Sequence, residues 1–557
     1  MSDSSGPADT ILLGGRVISM QPDASDRFQG VVVRGDRIVR LIERGQVDQF
    51  CGPDTKVVDL GLRPLLPGFV DVHAHAEVVC RTSYGTVDCR APECGTVAEV
   101  QDALASGRQG EGEWIVGQAN LFFDRKLKER RLPTREELDA VSRTSPIALR
   151  AGGHITVLNT KALEVAGIDR NYTPPDESVT GKPEIVRDSS GEPTGVVKEM
   201  DVLLPLPKLS RDQVKAALKT GLDTYFTQYG VTTIGEISET VAGIECMNEL
   251  AAADELPTAF RIYLWSPGTL DLKLACEWQK HVSLTAPDSA LRIQGAKLFS
   301  DGGFSAKSAA VNCCYVGQGD RRGEIAFPKY FLRKAFERTQ EAGLQLSVHA
   351  NGDRAQEWLC QILADMGGGG GGRTRLRIEH AANLMPQKRT ADWWARAGII
   401  PVPQPVFLYT FGEYFEDYLG EYGTRGRFPF RTLLDEGWRL SGSSDVWIGS
   451  EREATNPLFS IWCCLKRQTY SGGFIDEHEA ITLQEALRMH TLDAAATMGE
   501  DDVRGSLAPG KLADVIALER DPFAVSVDEL RTLEVDYVMS RGRTVRNTLT
   551  AARGSSA

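Results

Sequence analysis

The sequence is short of cysteine: eleven in 557 residues, at spacings that form no paired framework. That argues against a disulfide-stapled secreted fold and for reduced thiols in the cytoplasm. Long apolar runs are also missing. No stretch approaches the ~18 residues that a membrane-spanning helix needs. Residues 1–11 carry neither the basic start nor the apolar centre of a secretion signal. Excess positive charge is absent too: Lys and Arg total 63 against 76 Asp and Glu, a formal charge of −13. An acidic chain does not draw in a phosphate backbone, so a nucleic-acid partner is not expected. Histidine is scarce, eight in all. What is present is ordinary for a globular protein, with 42% hydrophobic and 25% charged residues, which excludes collagen, a coiled coil and general disorder. The length calls for more than one core, hence one large domain and one or two smaller ones.

Residues 10–19, 30–33, 37–42 and 57–60 read as short Val- and Ile-rich strands punctuated by Gly14, Gly15, Gly35 and Asp36. Residues 513–518 and 535–539 read alike. The ends, 1–65 and 498–557, are therefore expected to build one small β-sandwich around a larger domain, 66–497; two separate β-extensions are the alternative. Within that domain apolar strands alternate with helical stretches, as in βαβ units. Strands are expected at 66–72, 231–236, 261–265, 293–299, 344–348, 376–378, 399–402 and 439–442, with amphipathic helices such as 330–341 and 355–366. Eight such units predict an α/β fold, a (β/α)8 TIM-type barrel. The gap between Val72 and Val231 exceeds 150 residues, too long for a crossover. Residues 77–205 are expected to form a large insertion after the first barrel strand, strand-like at 114–116 and 147–150 and rich in Pro and Gly at 172–195. Loops on that side of a barrel carry the active site, so the insertion is expected to cover it. The six glycines 367–372 read as a flexible surface loop. No Lys-Ser/Thr pair follows them, so they do not make a phosphate loop.

His73 and His75 form a His-x-His at the end of the first expected strand. In a strand, residues i and i+2 face the same side, roughly 6–7 Å apart, so two imidazoles can converge on one cation. Alone the pattern is weak, but here a buried strand opened by Pro67-Gly68 precedes it. Lys297 ends the fourth expected strand, His349 the fifth and His380 the sixth, and Asp445 follows the eighth. Barrels present catalytic groups at these carboxyl ends. Each residue alone could be a satisfied buried polar group; together they point to one shared site.

This ordered set resembles the amidohydrolase superfamily, and in detail its amidohydrolase-3 (YtcJ-like, N-substituted formamide deformylase-like) branch. The segments that carry the likeness are Pro67-Gly68-Phe69-Val70-Asp71-Val72-His73-Ala74-His75, Lys297-Leu298-Phe299-Ser300-Asp301-Gly302, His349-Ala350-Asn351-Gly352-Asp353, Ile378-Glu379-His380, Ser444-Asp445 and the stretch 505–514. The resemblance implies two divalent metal ions, most often zinc. His73, His75 and Asp445 would hold one, and His349 and His380 the other. Lys297 would bridge them as a carboxylated lysine, the Nζ-carbamate formed with CO2. A buried lysine loses its proton readily, and two metals can share a hydroxide and polarise a carbonyl. Asp445 would move a proton from water to the leaving nitrogen. The resemblance further implies a small-molecule substrate and, as the superfamily's habit, a homodimer.

His154 is expected either to touch substrate or stabilise an oxyanion, or to start a helix. Trp114 resembles a pocket-wall residue of the branch. Asn351 stands where many of the branch carry a small or apolar residue, and is expected to line the pocket. Asp301 either orients a ligand or makes a turn. Glu379 should, by strand alternation, point away from His380 and stay outside the site. His490 reads as a packing residue, and His281 and His478 as surface residues. Cys80, Cys89, Cys94 and the pairs Cys313-Cys314 and Cys463-Cys464 read as buried thiols. The expected activity is metal-dependent hydrolysis of a non-peptide C–N bond in an amide, N-substituted formamide or cyclic imide. The alternatives are hydrolytic deamination of a heterocycle on the same fold, against which Lys297 argues, and a non-catalytic binding or regulatory protein.

Overall fold

The computed structural model describes residues 6–21, 27–107, 110–176 and 183–549. The chain divides into two compact units. The first comprises 1–74, 222–445 and 454–557; the second comprises 75–221 and 446–453.

The centre of the first unit is a parallel sheet of seven strands: β1 (Phe69–Ala74), β2 (Val231–Ser238), β3 (Ala259–Trp265), β4 (Leu291–Phe299), β5 (Gln345–His349), β6 (Arg377–Glu379) and β7 (Ile400–Val402). Each strand pairs with its predecessor in sequence, so the order across the sheet runs from β7 to β1 without a jump. Helices such as Val241–Ala252, Lys329–Glu341, Asp353–Asp365 and Arg389–Ala397 fill the crossovers. Parallel strands covered on both faces read as apolar runs, and all eight residues of β2 and all six of β1 are buried.

Two expectations shift. The segment 439–442 was expected as the eighth strand, yet it pairs in no ladder. Its Arg-Leu-Ser-Gly sequence lacks β-branched side chains, which favours extended chain over a strand. That chain is tied down by single bonds: Gly442 N–H donates to the Met489 carbonyl at 2.8 Å and Asp445 N–H to that of His73 at 2.8 Å. The stretch read as one strand, 66–72, is two. Leu65–Pro67 runs antiparallel to Val515–Leu518, whereas β1 runs parallel to β2. Gly68 sits at the switch, where a Cβ would fall 2.2 Å from Thr232 Oγ1.

The terminal strands form two four-stranded sheets. One contains Thr10–Leu13, Gly30–Arg34, Arg37–Ile42 and Lys56–Asp59; the other contains Leu65–Pro67, Val515–Leu518, Val535–Ser540 and Arg543–Asn547. Leu12, Val31, Leu65, Val515 and Tyr537 belong to one buried cluster, each such side chain contributing about 1.5–3 kcal/mol when fully buried. The glycine run joins a helix to β6, with Gly369 N–H donating to the Ala397 carbonyl at 2.5 Å.

The second unit is a six-stranded sheet in the order Glu184–Arg187, Pro193–Lys198, Ile155–Leu158, Ile147–Ala151, Ile115–Ala119, Val87–Asp88. Residues 177–182 of the Pro- and Gly-rich stretch, and residues 1–5 of the amino terminus, lie outside the described residues. Ala148, Leu158, Leu163 and Val197 centre its core. No helix among the described residues is long and apolar enough to cross a membrane.

Candidate metal centre

In the first unit, four of the sequence candidates come from the carboxyl ends of sheet strands. His73 is the fifth residue of β1, Lys297 the seventh of β4 and His349 the last of β5, while His380 directly follows β6. Asp445 lies beyond the extended 439–442 segment, at φ +45°. His73, His380 and Lys297 are almost fully buried. Asp445 and His349 keep 16% and 12% of their side chains exposed, so the group meets solvent on their side.

The three imidazoles share one pattern. Each turns one ring nitrogen inward and has the other beside an outer polar group, an oxygen acceptor for His73 and His380 and both a carbonyl and an amide NH2 for His349. His73 Nδ1 lies 2.6 Å from Glu379 Oε2, leaving Nε2 3.2 Å from Asp445 Oδ1. His380 Nδ1 lies 2.8 Å from Gln404 Oε1, and its Nε2 meets His349 Nδ1 at 2.9 Å. His349 Nε2 in turn lies 3.3 Å from the Gly302 carbonyl and 3.1 Å from Asn351 Nδ2. Outer hydrogen bonds of this kind fix the tautomer and aim the inner nitrogen at a cation. Burial pushes His73 down to about 4. Burial also lowers His349 well below the usual imidazole value, and lowers His380. All three are therefore held neutral, the form that binds metal.

Lys297 is fully buried, and its Nζ has no hydrogen-bond partner among the described residues. The Phe299 ring lies 5.0 Å away. Burial pushes this amine down to about 8, against the opposing pull of Glu379 and Asp445. An ammonium there would lack the hydrogen bonds that a buried charge requires.

Glu379 contradicts the expectation drawn from strand alternation. Its carboxylate is fully buried and faces inward, beside His73, Arg377 and Ser347. Alternation fails because His380 has left the strand, at φ +72°; two adjacent residues can then face the same centre. An Arg at i−2 on a buried strand was the available signal, since Arg377 and Glu379 share a face. Gln404, two residues past β7, was also missed.

Asp301 orients its surroundings rather than making only a turn. Its oxygens accept from the backbone N–H groups of Asn351 at 3.0 Å, Ala310 at 2.8 Å and Gly352 at 2.9 Å. Burial raises it to about 7 despite those bonds. Asn351 is tied through Nδ2 to the Gly302 carbonyl at 3.1 Å. His490 is buried, and His281 and His478 are exposed. Cys313 and Cys314 are half-buried rather than buried, and no disulfide forms among the described residues.

In the second unit, His75 opens the helix Ala76–Ser83 and donates its backbone N–H to the Val446 carbonyl at 3.1 Å. His154 occupies the turn between Ile147–Ala151 and Ile155–Leu158, not a helix start; Asn159 caps the helix Thr160–Ala166. Its Nδ1 lies 3.0 Å from Glu199, and its ring centroid 5.3 Å from that of Trp447. Trp114 packs, partly buried, against the core of this unit.

The sequence profile of the amidohydrolase family matches residues 56–546. The chain belongs to the amidohydrolase family. This amidohydrolase is 29% identical over 521 residues to an N-substituted formamide deformylase of Arthrobacter pascens, covering 91% of this chain and 93% of that one. It is 25% identical over 555 residues to YtcJ of Bacillus subtilis, covering 96% and 98%. Among solved structures, an uncharacterized metal-dependent hydrolase from Pyrococcus furiosus superposes with TM-score 0.70 at 23% identity, covering 92% of the amidohydrolase and 99% of that chain. That likeness concerns the fold, and the seven-stranded parallel sheet fits a TIM-type barrel.

Proposed function

We propose that this amidohydrolase is a metal-dependent hydrolase of a non-peptide C–N bond, in an amide, N-substituted formamide or cyclic imide. The observation that carries the reading is the arrangement of His73, His349 and His380, each held on its outer nitrogen and turned inward, beside a buried amine that has no hydrogen-bond partner among the described residues. The donor chemistry fits divalent zinc, which takes imidazole and carboxylate ligands. His73, His75 and Asp445 are assigned to one metal and His349 and His380 to the second. Lys297 is assigned as the bridge, carboxylated on Nζ, which turns an unpartnered amine into an anion. When bound, such a metal pair supplies Lewis acidity and lowers the pKa of water.

The protein's own groups do the rest. Asp445, partly exposed, accepts the proton of the attacking water and returns it to the leaving nitrogen. His154, its Nδ1 held by Glu199, offers Nε2 to the substrate. Asn351 holds His349 in place and lines the substrate side. Phe299, beside His349 with ring centroids 4.7 Å apart, and Phe407, stacked at 6.3 Å from His380, favour an apolar substituent. The relative named as an N-substituted formamide deformylase supports the bond class.

The test is a panel of N-substituted formamides, secondary amides and cyclic imides, run beside heterocyclic amines with zinc-loaded and chelator-stripped protein. Zinc-dependent release of an amine from the amide set supports the reading. Ammonia release from the heterocycles alone would replace it with deamination. Inertness toward the whole panel at full metal loading would refute catalysis of this kind.

A further inference from the structure

Glu379 is the most heavily bonded carboxylate around the candidate centre. Oε1 accepts from Ser347 Oγ at 2.6 Å and from Arg377 Nε at 2.5 Å. Oε2 accepts from Arg377 Nη2 at 3.0 Å and lies 2.6 Å from His73 Nδ1. Arg377 is itself fixed: it donates to the Val72 carbonyl at 2.6 Å and to Tyr263 Oη at 3.0 Å, with its guanidinium 4.5 Å from the Tyr263 ring centroid. Tyr263 Oη reaches Gln345 at 2.6 Å. Every member of this chain is buried.

We propose that Glu379 is a positioning residue that locks His73 as its Nδ1–H tautomer, so that Nε2 is the atom His73 presents to a cation. A carboxylate surrounded by donors has no proton of its own to give, so the 2.6 Å contact needs the proton on Nδ1. The unprotonated Nε2 then faces Asp445 Oδ1 at 3.2 Å. Two acceptors at that distance repel unless a cation or a proton lies between them, so the tautomer and a cation support each other. The tautomer stands on the hydrogen bonds alone; its effect on metal affinity rests on the metal reading proposed above. The competing role is purely structural, with Glu379 only neutralising Arg377.

Glu379→Gln separates the two roles. Ser347 and Arg377 would hold the amide oxygen, the amide NH2 would face Nδ1, and the ring proton would move to Nε2. Glu379→Asp keeps an acceptor and serves as the conservative control. Long-range proton–nitrogen spectra of metal-free, 15N-histidine-labelled full-length protein read the tautomer, with His73→Asn to assign the signal. Zinc affinity is measured separately by chelator competition. We expect the Nδ1–H pattern for wild type and Glu379→Asp, and the Nε2–H pattern for Glu379→Gln. Zinc affinity should fall about 10- to 100-fold in Glu379→Gln and largely recover in Glu379→Asp. An unchanged Nδ1–H pattern in folded Glu379→Gln, or an Nε2–H pattern in wild type, overturns the proposal. Should Glu379→Gln not fold, an Nε2–H pattern in wild type or Glu379→Asp overturns it and an Nδ1–H pattern in both supports it. Wild type that takes up no zinc refutes the metal reading, while the spectra still decide the tautomer.

Discussion

At the scale of single residues, Lys297 and His490 are both groups whose charged forms burial disfavours, with different consequences. The Lys297 amine has no hydrogen-bond partner among the described residues, and an unsatisfied buried polar group costs about 1–3 kcal/mol. Lys297→Met should therefore leave the metal-free protein as stable as wild type or more stable by about 1–2 kcal/mol. Calorimetry of stripped protein checks this. The same variant, and Lys297→Ala, should lose at least one metal and most activity, and short carboxylic acids should partly restore Lys297→Ala. Full activity with both ions retained would exclude the bridging role. His490 is pushed down by burial to about 3. Its unfolded value is near 6.5, so the unfolded chain binds one more proton between those values. The stability it contributes is complete above about pH 6.5 and is lost as pH falls, by up to about 1.4 kcal/mol per pH unit. His490→Gln should flatten the stability profile between pH 6 and 4, as measured by urea unfolding. An unchanged slope would contradict this.

At the scale of elements, residue type and spacing revealed most strands but not where one ends and the next begins. His73 and Lys297 lie in strands, and His349 and His380 at strand ends, because buried parallel strands are written as apolar runs closed by polar residues. Gly68 was legible as a turn, not as the point where the chain leaves one sheet for another, because that role depends on Thr232 across the sheet. Gly68→Ala should destabilise the fold by about 1–3 kcal/mol, and Thr232→Ala should relieve part of that loss. Thermal melts of both single variants and the double check the coupling. Glu379 was hidden for a related reason. Period-two reasoning holds only within a strand, and the left-handed backbone at His380 cannot be read from the residue alone.

At the scale of the whole molecule, the sequence exposed the parallel βα alternation and the sheets at both ends, because sheet periodicity is local. It also pointed to an insertion at 77–205, whereas the second unit takes 75–221. It did not show that 446–453, some 225 residues past Gly221, joins the second unit; such long-range membership is set by packing. The overcounted eighth strand has the same origin, since extended chain and strand differ in partners, not in dihedral preference. The candidate site was legible as a ligand set because it needs scarce residue types, eight His in 557 residues. Its outer bonds, through Glu379 and Gln404, were not. The central claim is that His73, His75, Lys297, His349, His380 and Asp445 together hold two metals. Anomalous diffraction from zinc-loaded crystals tests it most directly. The account predicts two zinc peaks bridged by density extending from Lys297 Nζ. A single peak beside an unmodified amine, or none under zinc saturation, would contradict it.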